Sequence, residues 1–212
     1  MKIHLVSDIH TELAPFHYCA PVSADVIVLA GDISQGSQGL TWARKNFPEQ
    51  QVIYISGNHE YYGHDLSVID SMRDIARKLD IHFLENDAVI IDGVRFLGCT
   101  LWTNLNNFSL KDIQRSWEYM SDFGTIKAEK WWDNKENQSE AFALMNPEFN
   151  MKSFYQKSFS PIIAYLLHQN SIAWLTRKLA EKHKKTVVAT HHAPSFNQLK
   201  ENYFWADLQH SY

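Results

Sequence analysis

A layered α/β fold is predicted by three features of the sequence: short β-branched apolar runs, helical periods between them, and a polar cluster closing each run. The runs are residues 2–6 (KIHLV), 26–30 (VIVLA), 52–55 (VIYI) and 186–190 (TVVAT). Their hydrophobicity is continuous rather than alternating, which suits strands buried on both faces. Between the second and third runs, residues 40–47 read as a helix stopped by Pro48. After the third, residues 65–79 place Leu66, Ile69, Met72, Ile75, Ala76 and Leu79 on one face at helical spacing. Residues 81–84, 88–91 and 94–97 read as three more strands, with Asp92-Gly93 as a hairpin turn.

Residues 104–160 are rich in Asn, Ser, Lys, Trp and Phe and hold no long period. They read as an insertion of short helices and loops within a single domain spanning 1–212, either a cap or an excursion with its own aromatic core. Residues 162–182 then predict one long helix, with Pro161 near its start and Ile163, Leu166, Leu167, Trp174, Leu175 and Leu179 facing inward.

Composition narrows the function. Apolar residues make up 45% of the 212, too many for a disordered chain. The net charge is −4, and the one dense basic cluster (Lys178, Lys182, Lys184, Lys185) falls where a helix should end. Nucleic-acid binding usually leaves a basic footprint, so nucleic acid is not the expected partner. No stretch approaches the roughly 18 apolar residues of a membrane span, and the apolar run before Asp8 is too short for a signal peptide. A soluble cytoplasmic protein is therefore expected, and no oligomeric state is specified. Cys19 and Cys99, 80 residues apart with no CxxC, read as reduced core thiols.

The chemistry lies where the four runs end. They lead into Asp8-Ile9-His10, Gly31-Asp32, Gly57-Asn58-His59-Glu60 and His191-His192. Open α/β sheets bind ligands just beyond the carboxyl ends of their strands, so these side chains would share one crevice. Carboxylates, imidazoles and an amide oxygen form a mixed O/N donor set suited to Mn²⁺, Fe, Zn²⁺ or Ni²⁺, and too rich in nitrogen for Ca²⁺. Each piece alone is a weak signal; all four at matching strand ends are hard to attribute to chance.

This arrangement resembles the calcineurin-like metallophosphoesterase superfamily, whose motifs run DxH, GD, GNH[DE], a late His and GHxH. Gly98-Cys99-Thr100-Leu101-Trp102-Thr103 and Thr190-His191-His192-Ala193-Pro194-Ser195 look like a bacterial subgroup of unassigned substrate. The resemblance implies a four-layer α/β/β/α sandwich of two mixed β-sheets flanked by helices. It implies two divalent metal ions, Mn²⁺ first, with Asp8 and His10 on one, Asn58 and His191 on the other, and Asp32 bridging. His192 is the neighbouring alternative to His191, because the doublet permits a one-residue shift. His59 would act as acid or hydrogen-bond donor at the leaving group, and Glu60 would orient its neighbours. The implied reaction is hydrolysis of a small phosphomonoester or phosphodiester by metal-activated hydroxide. Such sites work because cations about 3.5–4 Å apart neutralise the phosphoryl oxygens and hold the attack in line.

The closing GHxH is absent. Past His192 the only His is His210, without a preceding Gly, and Ala206-Asp207-Leu208 resembles the approach to the missing motif. The chain is thus expected to end early, to lose the last strands of the second sheet and to bind metal more weakly. The alternative reading is a catalytically degenerate scaffold of the same fold acting in protein interaction.

Overall fold

The computed structural model of the protein describes residues 1–16, 23–144 and 158–194. Cys19, Ser195, the 206–208 stretch, His210 and part of the expected insertion lie outside the described residues. The chain forms two compact units, one of residues 1–62, 68–100 and 173–191, the other of residues 63–67, 101–172 and 192–212.

The first unit holds both sheets. Strands β1 (Ile3–Val6), β2 (Val26–Ala30), β3 (Gln51–Ile55) and β4 (His82–Phe83) lie side by side in that order, all parallel. Helices α1 (Gln38–Asn46) and α2 (Val68–Lys78) occupy the connections. Strands β5 (Asp87–Ile91), β6 (Val94–Cys99) and β7 (Thr186–Thr190) form the second sheet, with β5 antiparallel and β7 parallel to β6. Two sheets flanked by helices are thus as expected, the mixed character residing in the second. The β5–β6 turn uses Asp92 (φ 47°) and Gly93 (φ 75°), the left-handed pair that a tight hairpin demands.

Alternate residues of β2 and β3 face two cores. Ile27, Leu29, Val52 and Tyr54 pack with Leu40, Met72 and Ala76 of the helices. Val26, Val28, Ile53 and Ile55 pack with Phe96, Val94 and Ile91 of the second sheet, and with Val187 and Ala189. Burial on both faces holds for central β2 and all but the first residue of β3, but not for edge strand β1, where Ile3 and Leu5 are exposed.

Helix α2 begins at Val68 rather than 65, because Asp65 turns back to accept from the Ser67 amide. The second unit contains α3 (Leu105–Phe108, a left-handed turn with positive φ throughout), α4 (Leu110–Tyr119), α5 (Asp122–Thr125), α6 (Glu129–Asp133) and α7 (Lys135–Leu144). These are the short helices expected there. Their aromatic residues build a core: Trp117 stacks on Phe123, which meets Phe159, which meets Trp102. Helix α8 (Pro161–Ala180) opens on its proline. Leu179, expected inward, is exposed because it sits in the final turn. Among the described residues no helix is long and apolar enough to cross a membrane.

Candidate metal centre

Parallel order places the motif residues together. Asp8, Asp32 and Asn58 follow β1, β2 and β3, so neighbouring strands deliver them to one sheet edge, and His191 follows β7, which packs against β2. The loops are tied by main-chain bonds from Asp8 N to Gly31 O and from His10 N to Asp32 O. Asp8, His10 and Asp32 all have φ of 51–55°, a left-handed conformation rare outside glycine. Clustered backbone strain of this sort persists where surrounding structure over-determines it, and functional sites are where it concentrates.

Glycine makes the loops' close approach possible. A Cβ on Gly31 (φ 87°) would lie 2.5 Å from His191 Nδ1 and 2.6 Å from Gly57 N. A Cβ on Gly57 would collide with Asp32 Oδ1 and lie 2.7 Å from the Asp32 amide. The glycines of the GD and GNHE motifs are therefore steric requirements.

Asp32 is 4% exposed and faces donor atoms on two sides. Asp8, His10 and Asp32 each offer a ligand atom within 4.8 Å of the others. On that side His10 Nε2 is 3.8 Å from Asp32 Oδ2. On the other side His191 Nε2 is 3.6 Å from Asp32 Oδ1 and 3.2 Å from Asn58 Oδ1. His191 Nδ1 lies 2.9 Å from the Ala30 carbonyl, a partner that can only accept, so the ring proton sits on Nδ1. The Asn58 amide donates to Tyr62 Oη at 3.1 Å, which turns Oδ1 toward the histidine. His191 Nε2 therefore converges with Asn58 Oδ1 and Asp32 Oδ1 at one point, with its other ring nitrogen tied to Ala30. One imidazole nitrogen, one amide oxygen and one carboxylate oxygen form a mixed donor set that fits a divalent metal. His192, the rival in the doublet, instead packs its ring on Trp102 at 5.5 Å.

His59 stacks on Tyr62 (centroids 4.2 Å apart) and sets its Nε2 3.9 Å from Asp32 Oδ2. Its amide donates to Asp32 Oδ1 at 2.9 Å. Glu60 is fully buried and accepts from the amides of Asp32 (2.9 Å), Ile33 (2.9 Å) and Gly57 (2.7 Å) and from Tyr54 Oη (2.7 Å). Burial, and then the nearby Asp32 carboxylate, push its carboxyl above the ordinary range, against the pull of these donors.

Two residues escaped the sequence reading. Tyr62 holds both Asn58 and His59, and Glu12 Oε1 sits 2.9 Å from His59 Nδ1 and 3.2 Å from His10 Nδ1. Burial alone would raise the Glu12 carboxyl, but hydrogen bonds from its own backbone and both histidines outweigh it and hold the group below its ordinary value. The only clue to Glu12 was an acidic residue two places beyond His10.

A protein described as uncharacterized from Acanthamoeba polyphaga mimivirus is 27% identical over 156 residues, covering 69% of this chain. The chain spans 46% of that relative's length. The crystal structure of the phosphopantetheinyl hydrolase of Mycobacterium tuberculosis superposes with a TM-score of 0.64 at 14% identity, covering 99% of this chain and 74% of that one. At that identity the likeness is one of fold. A sequence model of the calcineurin-like phosphoesterases matches residues 1–210. With almost its whole length so matched, the chain belongs to the calcineurin-like phosphoesterase family.

Proposed function

We propose that the protein is a metal-dependent phosphoesterase in which Asp8, His10, Asp32, Asn58 and His191 hold two divalent cations, one on each side of Asp32. The observation that carries this reading is the convergence of His191 Nε2 on Asn58 Oδ1 and Asp32 Oδ1, with His191 Nδ1 and the Asn58 amide nitrogen tied to Ala30 and Tyr62. Cations bound there supply Lewis acidity toward a phosphoryl group and neutralise its charge during transfer.

The chain's own residues do the rest. Asp32, reached from both sides, fixes the separation of the two donor groups. Asp8 and His10 complete one group, and Asn58 and His191 the other. His59 presents Nε2 beside Asp32, the atom from which a proton reaches the departing oxygen. Three oxygen-bearing side chains with two imidazoles accept Mn²⁺, Fe, Zn²⁺ or Ni²⁺, and Mn²⁺ is the ion we take first, since carboxylate and amide oxygens outnumber the imidazoles. The substrate class is a small phosphomonoester or phosphodiester, since a net charge of −4 does not attract polyanions.

Metal content after Mn²⁺ loading and desalting, paired with hydrolysis of p-nitrophenyl phosphate and bis(p-nitrophenyl) phosphate, tests this. About two Mn²⁺ per chain are expected, as in two-metal hydrolases. Hydrolysis should disappear in Asp32→Asn and Asn58→Ala. One metal or none per chain, or hydrolysis indifferent to both substitutions, would falsify the reading.

A further inference from the structure

Glu12 serves no purpose in the scheme above, yet its side chain is 10% exposed and sits between two histidines of the centre. Its Oε1 lies 3.2 Å from His10 Nδ1 and 2.9 Å from His59 Nδ1, and those two nitrogens are 3.2 Å apart. Its Oε2 is buried with no hydrogen-bond partner among the described residues. A carboxylate oxygen has lone pairs for two donors and no proton of its own to give when ionised. Both rings satisfy it only if each carries its proton on Nδ1.

The alternative is a proton passed from one Nδ1 to the other. That would free one ring from the carboxylate and place its proton on Nε2. There Asp32 Oδ2 is 3.8 Å from His10 Nε2 and 3.9 Å from His59 Nε2. Both distances exceed hydrogen-bond reach. Sharing a proton between the rings therefore exchanges a charge-assisted bond to the carboxylate for a neutral N–H···N bond between the rings, which is about half as strong.

We propose that Glu12 is a positioning residue that fixes the Nδ1–H form of His10 and His59 together, so that both Nε2 atoms turn toward Asp32. One carboxylate thereby orients two rings with different tasks. For His10 the consequence is a lone pair presented to the Asp8–Asp32 donor group. For His59 it is that Nδ1 stays engaged in either protonation state, leaving Nε2 as the atom that meets the substrate. Carboxylates behind metal-binding histidines commonly act in this way on one ring, and removing them costs about 10–100-fold in metal affinity or activity. The tautomer statement stands on the distances alone; its catalytic consequence rests on the phosphoesterase reading.

Two-bond ¹H–¹⁵N spectra of the histidine-labelled, metal-free 212-residue chain read the tautomers directly, with His10→Gln and His59→Gln assigning the signals. Wild type is expected to show both rings protonated on Nδ1. Glu12→Gln retains a carbonyl oxygen at Oε1 and should keep that pattern, whereas Glu12→Leu should return both rings toward Nε2–H. With Mn²⁺ bound, Glu12→Leu should lower kcat by about 10–100-fold with KM little changed. The loss should be greater for an alkyl phosphate ester than for a p-nitrophenyl ester, whose leaving group departs without a proton. Glu12→Gln should restore most of the rate. Either ring in the neutral Nε2–H form in wild type, or the Nδ1–H form retained by both rings in Glu12→Leu, overturns the proposal. If Glu12→Leu does not fold, the wild-type and Glu12→Gln spectra still decide it. Wild-type protein that hydrolyses no phosphoester would sink the functional reading while leaving the tautomer result to stand or fall separately.

Discussion

Replacing Glu60 by Gln keeps the shape of the side chain on which the loops after β2 and β3 are hung, and removes its charge. Oε2 receives the Asp32 and Gly57 amides, and Oε1 receives the Ile33 amide and the Tyr54 hydroxyl. Whichever way the new amide turns, its NH₂ faces two donors, so at least two buried groups lose their acceptor. Each such loss costs about 1–3 kcal/mol, and the surviving bonds cease to be charge-assisted. Relief from burying a carboxyl already pushed upward offsets part of this. A net loss of about 3 kcal/mol is expected, which for a chain of this length lowers Tm by about 6–12 °C. Urea unfolding followed by fluorescence and circular dichroism measures it. Because the same bonds seat Asp32, Mn²⁺ affinity should fall in parallel. A loss below about 1 kcal/mol would show that the two loops hold their positions without Glu60, and the argument would be refuted.

Three further outcomes follow from other parts of the structure. Glu85 retains some exposed surface, but its carboxyl is buried against Thr100, and burial raises it to about 7 despite donors from the Thr100 amide and the charge of Arg73. The folded state thus holds a proton that the unfolded chain releases near 4.5, so stability falls as pH rises from 4.5 to about 7, by at most about 3 kcal/mol. Glu85→Gln should flatten that slope and be the more stable protein at pH 8, as urea midpoints across pH will read. The Arg44 guanidinium donates to the carbonyls of Leu79, Phe47, Pro48, Gln50 and Asp80, joining the ends of α1 and α2 to the start of β3. Arg44→Lys keeps the charge but not the planar fork, and should cost about 2 kcal/mol in the same assay. Gly57→Ala drives a methyl into Asp32 Oδ1 and should abolish Mn²⁺ binding in calorimetry while leaving far-ultraviolet circular dichroism near wild type.

The fold was legible where local pattern and tertiary role agree. Strands β2 and β7 have the boundaries their β-branched runs predict, although only β2 is buried throughout and Val188 at the middle of β7 is exposed. Four strand-end motifs were visible because parallel order turns separate short motifs into one edge. Departures occur where long-range contacts decide. Residues 65–67 carry a helical pattern, but Asp65 pairs with Lys127 as an isolated bridge and Leu66 N bonds Lys127 O, so α2 starts later. The Nδ1–H of His191 depends on a carbonyl 161 residues earlier, which no spacing rule anticipates. Glu12 and Tyr62 were invisible for the same reason, since each acts through a side chain brought to it by the fold.

The strand order also sets a timetable. Asp8, His10, Asp32 and Asn58 belong to the first 60 residues, whereas His191 enters with β7, whose contact between Arg95 and Thr186 spans 91 residues. Distant parallel pairings are among the slower events in folding, and synthesis adds only about 5–20 residues per second. About 8–32 seconds therefore separate the emergence of the His10 donor group, complete at Asp32, from that of His191. A nascent chain is expected to hold Asp8, His10 and Asp32 together for that interval while Asn58 still lacks His191, so the edge is assembled in two stages.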